Sequence, residues 1–164
     1  MLLFSITLNA REIGETEITT EDGIEVFQNE KYYLLKKNVK IVSDNFTLSA
    51  DEVKINFDKS LYDITELDAN RNVNFKSNEF EISGNGNFLN FKVKIEKIKV
   101  EGEGSQLVTS DVKMFSDGFI EVSNLNGDFL LKGTNSKLLN ENIIIRAETI
   151  NGNFSEKANK KEIT

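Results

Sequence analysis

Residues 38–58 read NVKIVSDNFTLSADEVKINFD, a segment in which apolar and polar residues alternate on both sides of a short polar break. Its apolar residues are Val39, Ile41, Phe46, Leu48, Ala50, Val53, Ile55 and Phe57. Because successive side chains of a strand point to opposite faces, this alternation predicts strands with one apolar face and one polar face. The break at residues 43–45 predicts a turn, so the segment has the pattern of a hairpin.

The same pattern recurs 34 residues later, in the stretch 72–91, NVNFKSNEFEISGNGNFLNF. Without a gap, the shift aligns Val73, Phe75, Phe80, Ile82 and Phe91 with Val39, Ile41, Phe46, Leu48 and Phe57. A third copy, 63 residues beyond the second, aligns Ile143, Ile145 and Phe154 with Phe80, Ile82 and Phe91. Self-similarity with a period of roughly 30 residues indicates one hairpin-like unit that is stacked repeatedly.

Alternation of apolar and polar residues continues through most of the chain from residue 18, and no stretch keeps helical spacing for three turns. Five Asx-Gly dipeptides punctuate it, namely Asp22-Gly23, Asn85-Gly86, Asp117-Gly118, Asn126-Gly127 and Asn151-Gly152. Some are expected to close hairpins, and Asn85-Gly86 and Asn151-Gly152 are alternatively bulges within strands. The prediction is an all-β chain of a dozen or more short antiparallel strands.

Composition excludes several function classes. The chain has 164 residues, which favours one domain, and its net charge of −7 argues against a nucleic-acid partner. It contains no His and no Cys, so zinc sites, disulfides and Ser-His-Asp or Cys-His catalysis are excluded. Acidic pairs such as Glu66 with Asp68 arise by chance among 27 acidic residues. We therefore predict no catalytic residue, no metal site and no cofactor.

The two ends of the chain differ from its middle. Residues 1–10, MLLFSITLNA, are uncharged and mostly apolar, which fits the end of a secretory signal cleaved near Ala10 or, alternatively, a first strand. The run is too short to span a bilayer, which takes about 20 apolar residues. We predict a signal-peptide remnant at residues 1–10, a β domain at 11–154 and a flexible tail at 155–164.

The two copies at 38–58 and 72–91 resemble the repeat of the OstA-like family, in which a Gly-Asn-Val start leads to Leu-x-Ala-Asp and further alternating apolar residues. The residues that match this phrase are Leu48, Ala50, Asp51, Val53 and Ile55. Lys37 replaces the Gly of Gly-Asn-Val, and Gly84-Asn85 replaces Ala-Asp in the second copy. The resemblance covers residues 18–154.

The resemblance implies a twisted, slotted β-jellyroll built from antiparallel hairpin repeats, with a dry interior that carries acyl chains. It implies a non-enzymatic periplasmic carrier that binds lipopolysaccharide through its lipid A chains and bridges its transport from the inner to the outer membrane. The implied partners are LptC-like and LptD-like proteins, met through edge strands, and further copies of the chain joined head to tail. The candidate lipid-binding residues are Val39, Ile41, Phe46, Leu48, Val53, Ile55, Phe57, Val73, Phe75, Phe80, Ile82 and Phe91.

Two interpretations of these apolar residues stay open. In a closed barrel or sandwich they only pack against one another, whereas in a carrier they line a slot between two sheets. Each buried methylene gains a free energy of about 0.8 kcal/mol, which would hold an acyl chain in such a slot. The alternative functions are an LptC-like or LptD N-terminal-like component of the same pathway, and a structural β-repeat protein.

Overall fold

The computed structural model describes residues 12–157 and 160–163, with side chains as far as Phe154. The predicted all-β, antiparallel architecture is confirmed, because every strand pairing in this part of the chain is antiparallel. The helical structure there is one short 3-10 turn, Val93–Ile95. No helix in the described ranges is long and apolar enough to cross a membrane. The predicted signal segment, residues 1–10, lies outside the described residues.

Thirteen strands make up this part of the chain. They are β1 (Glu17–Thr19), β2 (Ile24–Phe27), β3 (Tyr32–Val42), β4 (Phe46–Phe57), β5 (Ile64–Ser77), β6 (Ile82–Lys92), β7 (Lys97–Glu101), β8 (Ser105–Val108), β9 (Val112–Ser116), β10 (Phe119–Ser123), β11 (Asp128–Asn140), β12 (Ile143–Lys157) and β13 (Lys160–Ile163). The order of neighbours is β1-β3-β4-β5-β6-β7-β10-β11-β12-β13. Off this path, β2 pairs with β3, while β8 pairs with β6 and β9, and β9 also pairs with β11.

The long strands bend halfway along their length. In β3 the ladder to β4 is interrupted where Lys37 and Asn38 have φ angles of +66° and +50°. In β5 the ladders are interrupted where Arg71 and Asn72 have φ angles of +59° and +51°. These pairs stand at equivalent positions of the first two copies, so the sequence repeat is also a repeat of the bend.

A side-chain amide holds each bend to a carboxylate. The Asn38 amide donates to Glu21, and in the second copy the Asn72 Nδ2 atom donates to both carboxylate oxygens of Asp51 at 3.1 Å. Lys37 Nζ lies 3.1 Å from Glu21 Oε2. The hydrogen bond from Asn38, and then the one from Lys37, lowers the pKa of Glu21 below its ordinary 4.5. The hydrogen bond to Glu21 raises the pKa of Lys37 above 10.5.

The bends fold the sheet into two layers that face each other. The front layer comprises β1, β8, β9 and the segments 39–42, 46–50, 73–77, 82–86, 136–140 and 143–147. The back layer comprises β2, β7, β10 and the segments 32–36, 52–57, 64–70, 88–92, 128–132 and 149–154. We call the side where the chain crosses between layers the closed side, and the opposite side, where the hairpin turns lie, the mouth.

The inward-facing residues of both layers form one core. Val39, Val53, Val73 and Val100 are at most 1% exposed. Gly84 stands in the second copy where Ala50 stands in the first, and the packing explains this departure. A Cβ on Gly84 would lie 2.5 Å from the Gln106 carbonyl oxygen and 2.8 Å from the Phe75 ring. No larger residue fits there without moving β8.

The Asx-Gly dipeptides serve different purposes. Asn126-Gly127 closes the β10–β11 hairpin, with Gly127 at φ +76°. Asn85-Gly86 and Asn151-Gly152 lie inside β6 and β12. Asp22-Gly23 and Asp117-Gly118 lie at crossings between the layers. Alternation along a strand therefore does not by itself distinguish a hairpin turn from a crossing.

The sheet continues beyond the predicted domain end at residue 154. The backbone of β12 extends to Lys157 and pairs with β13. An edge strand presents unpaired donors and acceptors, and β13 satisfies some of those on β12. The division into signal remnant, domain and tail stays a prediction.

Candidate functional site

Three pockets lie in a row between the layers and together form an interrupted slot. Their volumes are about 600 Å³ at the N-terminal end, about 20 Å³ in the centre and about 280 Å³ towards the C-terminal end. The N-terminal and central pockets share Phe46 and Phe91, and the central and C-terminal pockets share Phe80 and Ile98. The slot therefore runs along the molecule from one sheet edge towards the other.

The N-terminal pocket is almost entirely apolar. Its lining residues are Thr16, Ile18, Ile24, Val26, Tyr33, Ile41, Ser43, Phe46, Ile55, Leu61, Tyr62, Ile64, Leu67, Phe91 and Val93. Ile24 and Val26 are about half exposed, at 51% and 53%, so this end is open to solvent. Burial raises the pKa of the Tyr33 hydroxyl above 10.0. The volume falls in the range of about 300–1,000 Å³ that is usual for small-molecule sites.

The central pocket is a constriction made of phenylalanine rings. Phe46, Phe75, Phe80 and Phe91 line it, and Phe75 is buried while the other three are partly buried. The rings of Phe80 and Phe91 meet edge to face, with centroids 6.1 Å apart and an interplanar angle of 64°. Phe80 lies in the turn between two front-layer segments and Phe91 lies in the back layer, so this contact closes the slot between the layers.

The C-terminal pocket has an apolar floor and a polar rim. Ile82, Val122 and Phe154 line the floor. The polar lining residues are Glu96, Thr109, Ser123, Asn124 and Asn126. This pocket is therefore both smaller and more polar than the N-terminal pocket.

The predicted site residues fall into two groups. Seven of the twelve line the three pockets, namely Ile41, Phe46, Ile55, Phe75, Phe80, Ile82 and Phe91. The other five line none of these three pockets and are buried among the core residues, namely Val39, Leu48, Val53, Phe57 and Val73. The two interpretations of the alternating residues thus describe two sides of the same interior, a closed core and an open slot. The role of these residues in lipid binding stays a prediction.

Several lining residues of the N-terminal pocket were not predicted. Ile24 and Val26 alternate with Glu25 in β2, so their inward direction was visible in the sequence. Leu61 and Tyr62 lie in the β4–β5 turn, where no periodicity exists to assign them a face. Only the fold brings this turn to the mouth of the slot.

Polar chemistry is sparse in and around the slot. Within the described ranges, no three acidic side chains are grouped so that they could hold a metal ion. Glu66 and Asp68, the acidic pair noted in the sequence, both accept a hydrogen bond from Asn90 Nδ2 at 2.7 Å. No buried side-chain nitrogen or oxygen in this part of the chain lacks a partner. The N-terminal pocket therefore offers chiefly apolar contact, whereas the C-terminal pocket adds its polar rim.

Comparison with known proteins agrees with this fold. The family model described as LptA/(LptD N-terminal domain) LPS transport protein matches residues 19–153. The crystal structure of LptH, the LptA homologous periplasmic component of the lipopolysaccharide transport device from Pseudomonas aeruginosa, superposes with a TM-score of 0.56. That match covers 67% of this chain and 76% of LptH at 9% identity, so it concerns the fold alone.

No curated protein matches the chain in sequence. The family model, in contrast, spans most of the 164 residues, including the first two hairpin repeats and nearly all of the third. The resemblance to the OstA-like repeat is thereby confirmed, and the chain belongs to the LptA/LptD N-terminal domain family of lipopolysaccharide transport proteins.

Proposed function

We propose that this chain is a periplasmic carrier that holds the acyl chains of lipopolysaccharide in its slot. In this role it forms part of the bridge along which lipopolysaccharide is transported from the inner to the outer membrane. The observation that carries the proposal is the N-terminal pocket, an apolar space of about 600 Å³ between the layers, in a chain of a lipopolysaccharide transport family. The periplasmic location is proposed by analogy with LptH, which is described as a periplasmic component.

The physical basis is the transfer of methylene groups out of water. Each buried methylene contributes about 0.8 kcal/mol, so an acyl chain in the pocket gains binding energy without any polar contact. A sugar and phosphate headgroup cannot enter an apolar space without losing hydration. Because the pocket opens at the N-terminal edge, an acyl chain can enter it while the headgroup stays in water.

Contacts with other jellyroll domains are the second part of the proposal. Apolar residues of the inner face stay exposed at both ends of the sheet, Ile24 and Val26 at the first end and Ile143 and Ile145 at the other. Open strand edges with uncovered apolar residues favour the addition of a further strand. We infer head-to-tail contacts with other copies and with LptC-like and LptD-like proteins, which would extend the slot from one domain to the next.

Photo-crosslinking to lipopolysaccharide tests the carrier proposal. The photoreactive amino acid p-benzoylphenylalanine replaces Phe46 or Phe91, whose side chains line the slot and already carry the phenyl ring to which the photoreactive group is attached. Controls carry it at Thr47, the neighbour of Phe46, and at Phe88, which lies in the same strand as Phe91 but on the outer face. We expect capture of purified lipopolysaccharide from Phe46 and Phe91 and not from the controls.

Two results would contradict the carrier proposal. One is equal capture from the slot positions and their outward-facing controls, which would indicate general stickiness rather than a binding site. The other is the absence of capture from all four positions in variants whose circular dichroism matches that of the wild type. In both cases the mouth side would be only a loosely packed part of a β-sandwich.

A further inference from the structure

We propose that Phe80 acts as the movable half of an aromatic gate, which separates the N-terminal from the C-terminal pocket and controls whether a bound acyl chain advances along the slot. This inference rests on the proposed carrier function and specifies where in the slot transport is controlled. It requires that the slot is interrupted at Phe80, that Phe80 is easier to displace than its partner, and that the two pockets differ in their affinity for an acyl chain.

One ring contact crosses the slot at the interruption. The central pocket holds about 20 Å³, against about 600 Å³ and about 280 Å³ on its two sides. Phe80 and Phe91 close it by their edge-to-face contact, with centroids 6.1 Å apart. The other ring pairs of the described residues, Phe27–Tyr32, Tyr33–Phe57 and Phe129–Phe154, each lie within or beside the back layer. The Phe80–Phe91 contact alone among them joins the two layers.

The two halves of the gate differ in how they are held. Phe91 belongs to β6, where it pairs with Leu67 of β5 on one side and Ile98 of β7 on the other. Phe80 lies in the turn between β5 and β6, where its N–H donates to the side-chain oxygen of Ser77 at 3.3 Å and takes no part in a strand ladder. Displacing Phe91 would disrupt two ladders, whereas Phe80 can swing away by a local change in its turn.

The base of the turn that carries Phe80 is tied to a neighbouring turn. The Asn78 N–H donates to the Asn45 carbonyl oxygen at 2.8 Å, which ties the start of this turn to the β3–β4 turn. Glu81, directly after Phe80, has a φ of +50°, a conformation that residues with a Cβ adopt at a cost. The β5–β6 ladder ends at Ser77 and Ile82, so the segment between them can rearrange without breaking a ladder hydrogen bond.

The pockets on the two sides of the gate offer an acyl chain different surroundings. The N-terminal pocket is apolar apart from Thr16, Ser43 and the hydroxyls of Tyr33 and Tyr62. The rim of the C-terminal pocket includes Glu96 and Asn124, whose side chains hydrogen-bond to each other at 2.8 Å. An acyl chain gains more in the first pocket, so with the gate closed it stays there. Advance then requires that Phe80 moves aside.

The test measures occupancy on both sides of the gate. p-Benzoylphenylalanine is placed singly at Ile24, which lines the N-terminal pocket, and at Leu125, which lines the C-terminal pocket; both side chains are at least half exposed, so the fold tolerates the change. The readout is the ratio of lipopolysaccharide captured at Leu125 to that captured at Ile24, shortly after purified lipopolysaccharide is added. The ratio is compared between the wild type, Phe80→Ala and the control Phe88→Ala, which removes the same atoms from the outer face.

We expect a low ratio in the wild type and in Phe88→Ala, and a several-fold higher ratio in Phe80→Ala. A ratio that is the same in all three proteins, or that rises equally in Phe88→Ala, would overturn the gate and leave the carrier function intact. Absence of capture at both positions in every protein would overturn the carrier function, and the gate with it. The two failures are therefore distinguishable.

A second variant covers the case in which Phe80→Ala does not fold. Phe80→Trp keeps an aromatic ring in the turn and enlarges it, so it should tighten the constriction. We expect capture at Leu125 to fall while capture at Ile24 is retained. Unchanged capture at Leu125 in folded Phe80→Trp would show that the side chain at this position does not limit passage.

Discussion

At Arg71 and Lys37 the backbone adopts a left-handed conformation, in which a residue with a Cβ is destabilised by about 1–2 kcal/mol relative to its ordinary conformation. The OstA-like phrase has Gly at the start of Gly-Asn-Val, where this chain has Lys37. Each of these basic residues lies beside the carboxylate that accepts the neighbouring Asn amide, Glu21 for Lys37 and Asp51 for Arg71. An exposed ion pair contributes only about 0–1 kcal/mol, so the strain is not fully offset.

Replacing Arg71 with glycine should therefore stabilise the protein. We expect Arg71→Gly to raise the free energy of unfolding by about 0.5–1 kcal/mol, because strain is relieved while Asn72 still holds Asp51. Urea denaturation measures this change in the free energy of unfolding. The matched control is Lys76→Gly in the extended part of the same strand, which should destabilise by about 0.5–1 kcal/mol. Destabilisation by both substitutions would show that the left-handed conformation of Arg71 is not strained.

The Glu21 carboxylate, which is held at the bend of β3, should make stability depend on pH. The pKa of Glu21 is lower in the folded chain than its ordinary 4.5, so its contribution is present above that value and is lost as the pH falls through the folded pKa. We expect the urea midpoint of the wild type to fall more steeply than that of Glu21→Gln between about pH 5 and about pH 2. If the urea midpoints of the two proteins fell in parallel with pH, the proposed contribution of Glu21 at the bend of β3 would be contradicted.

Lys37, at the same bend of β3, makes stability depend on pH at the alkaline end of the scale. Its pKa is raised above 10.5 in the folded chain, so its contribution is complete below that value and is lost as the pH rises through the folded pKa. Around neutral pH both Glu21 and Lys37 are ionised. The contribution of this pair to stability should therefore not change with pH in the neutral range.

At the scale of elements, β12 differs from the other long strands because its first half has a neighbour on one side only, in the segment 136–140 of β11. Ile143, Ile144 and Ile145 are 56%, 57% and 36% exposed, although Ile145 faces the same side as buried Leu138. An apolar inner face that continues beyond the covered core is the feature expected of a surface that another domain completes.

Substitutions on the two faces of β12 distinguish such an end-to-end contact from general stickiness. We expect Ile145→Lys, on the inner face, to weaken self-association at high protein concentration, because a charge there must be buried when a second domain extends the core. The outer-face substitution Ile144→Lys should have a smaller effect. Sedimentation velocity over a range of concentrations measures both. A strictly monomeric wild type, or equal effects of the two substitutions, would contradict the head-to-tail arrangement.

At the scale of the whole molecule, the closed side and the mouth divide the interior between stability and binding. Small residues such as Val39, Val53 and Ala69 let the layers come together at the closed side, where they are at most 1% exposed. Large rings such as Phe46 and Phe91 stand at the mouth, where the space between the layers is incompletely filled. The same sheet thus packs densely along one side and leaves a slot along the other.

Much of this architecture followed from local pattern. Alternation placed residues such as Val39, Leu48 and Val53 on the inward face correctly, because period two is a property of the extended backbone itself. The 34-residue repeat anticipated the recurrence of the hairpins, and the bends of β3 and β5 recur at the same interval. The Asx-Gly dipeptides were less informative, since turns within a layer and crossings between layers favour the same residues.

The sequence by itself determined the class of fold, the face on which each strand residue lies and the family to which the chain is similar, because these depend on short-range order along the chain. Only the tertiary structure decided which inward-facing residues become closed core and which line the slot. Phe46 and Leu48 alternate identically in sequence, yet one borders the pockets and the other is fully buried. Their positions across the layer account for that difference, because Phe46 directly follows the turn at the mouth whereas Leu48 lies nearer the closed side. Where the strands bend, and on which side the turns gather, is decided by the whole sheet.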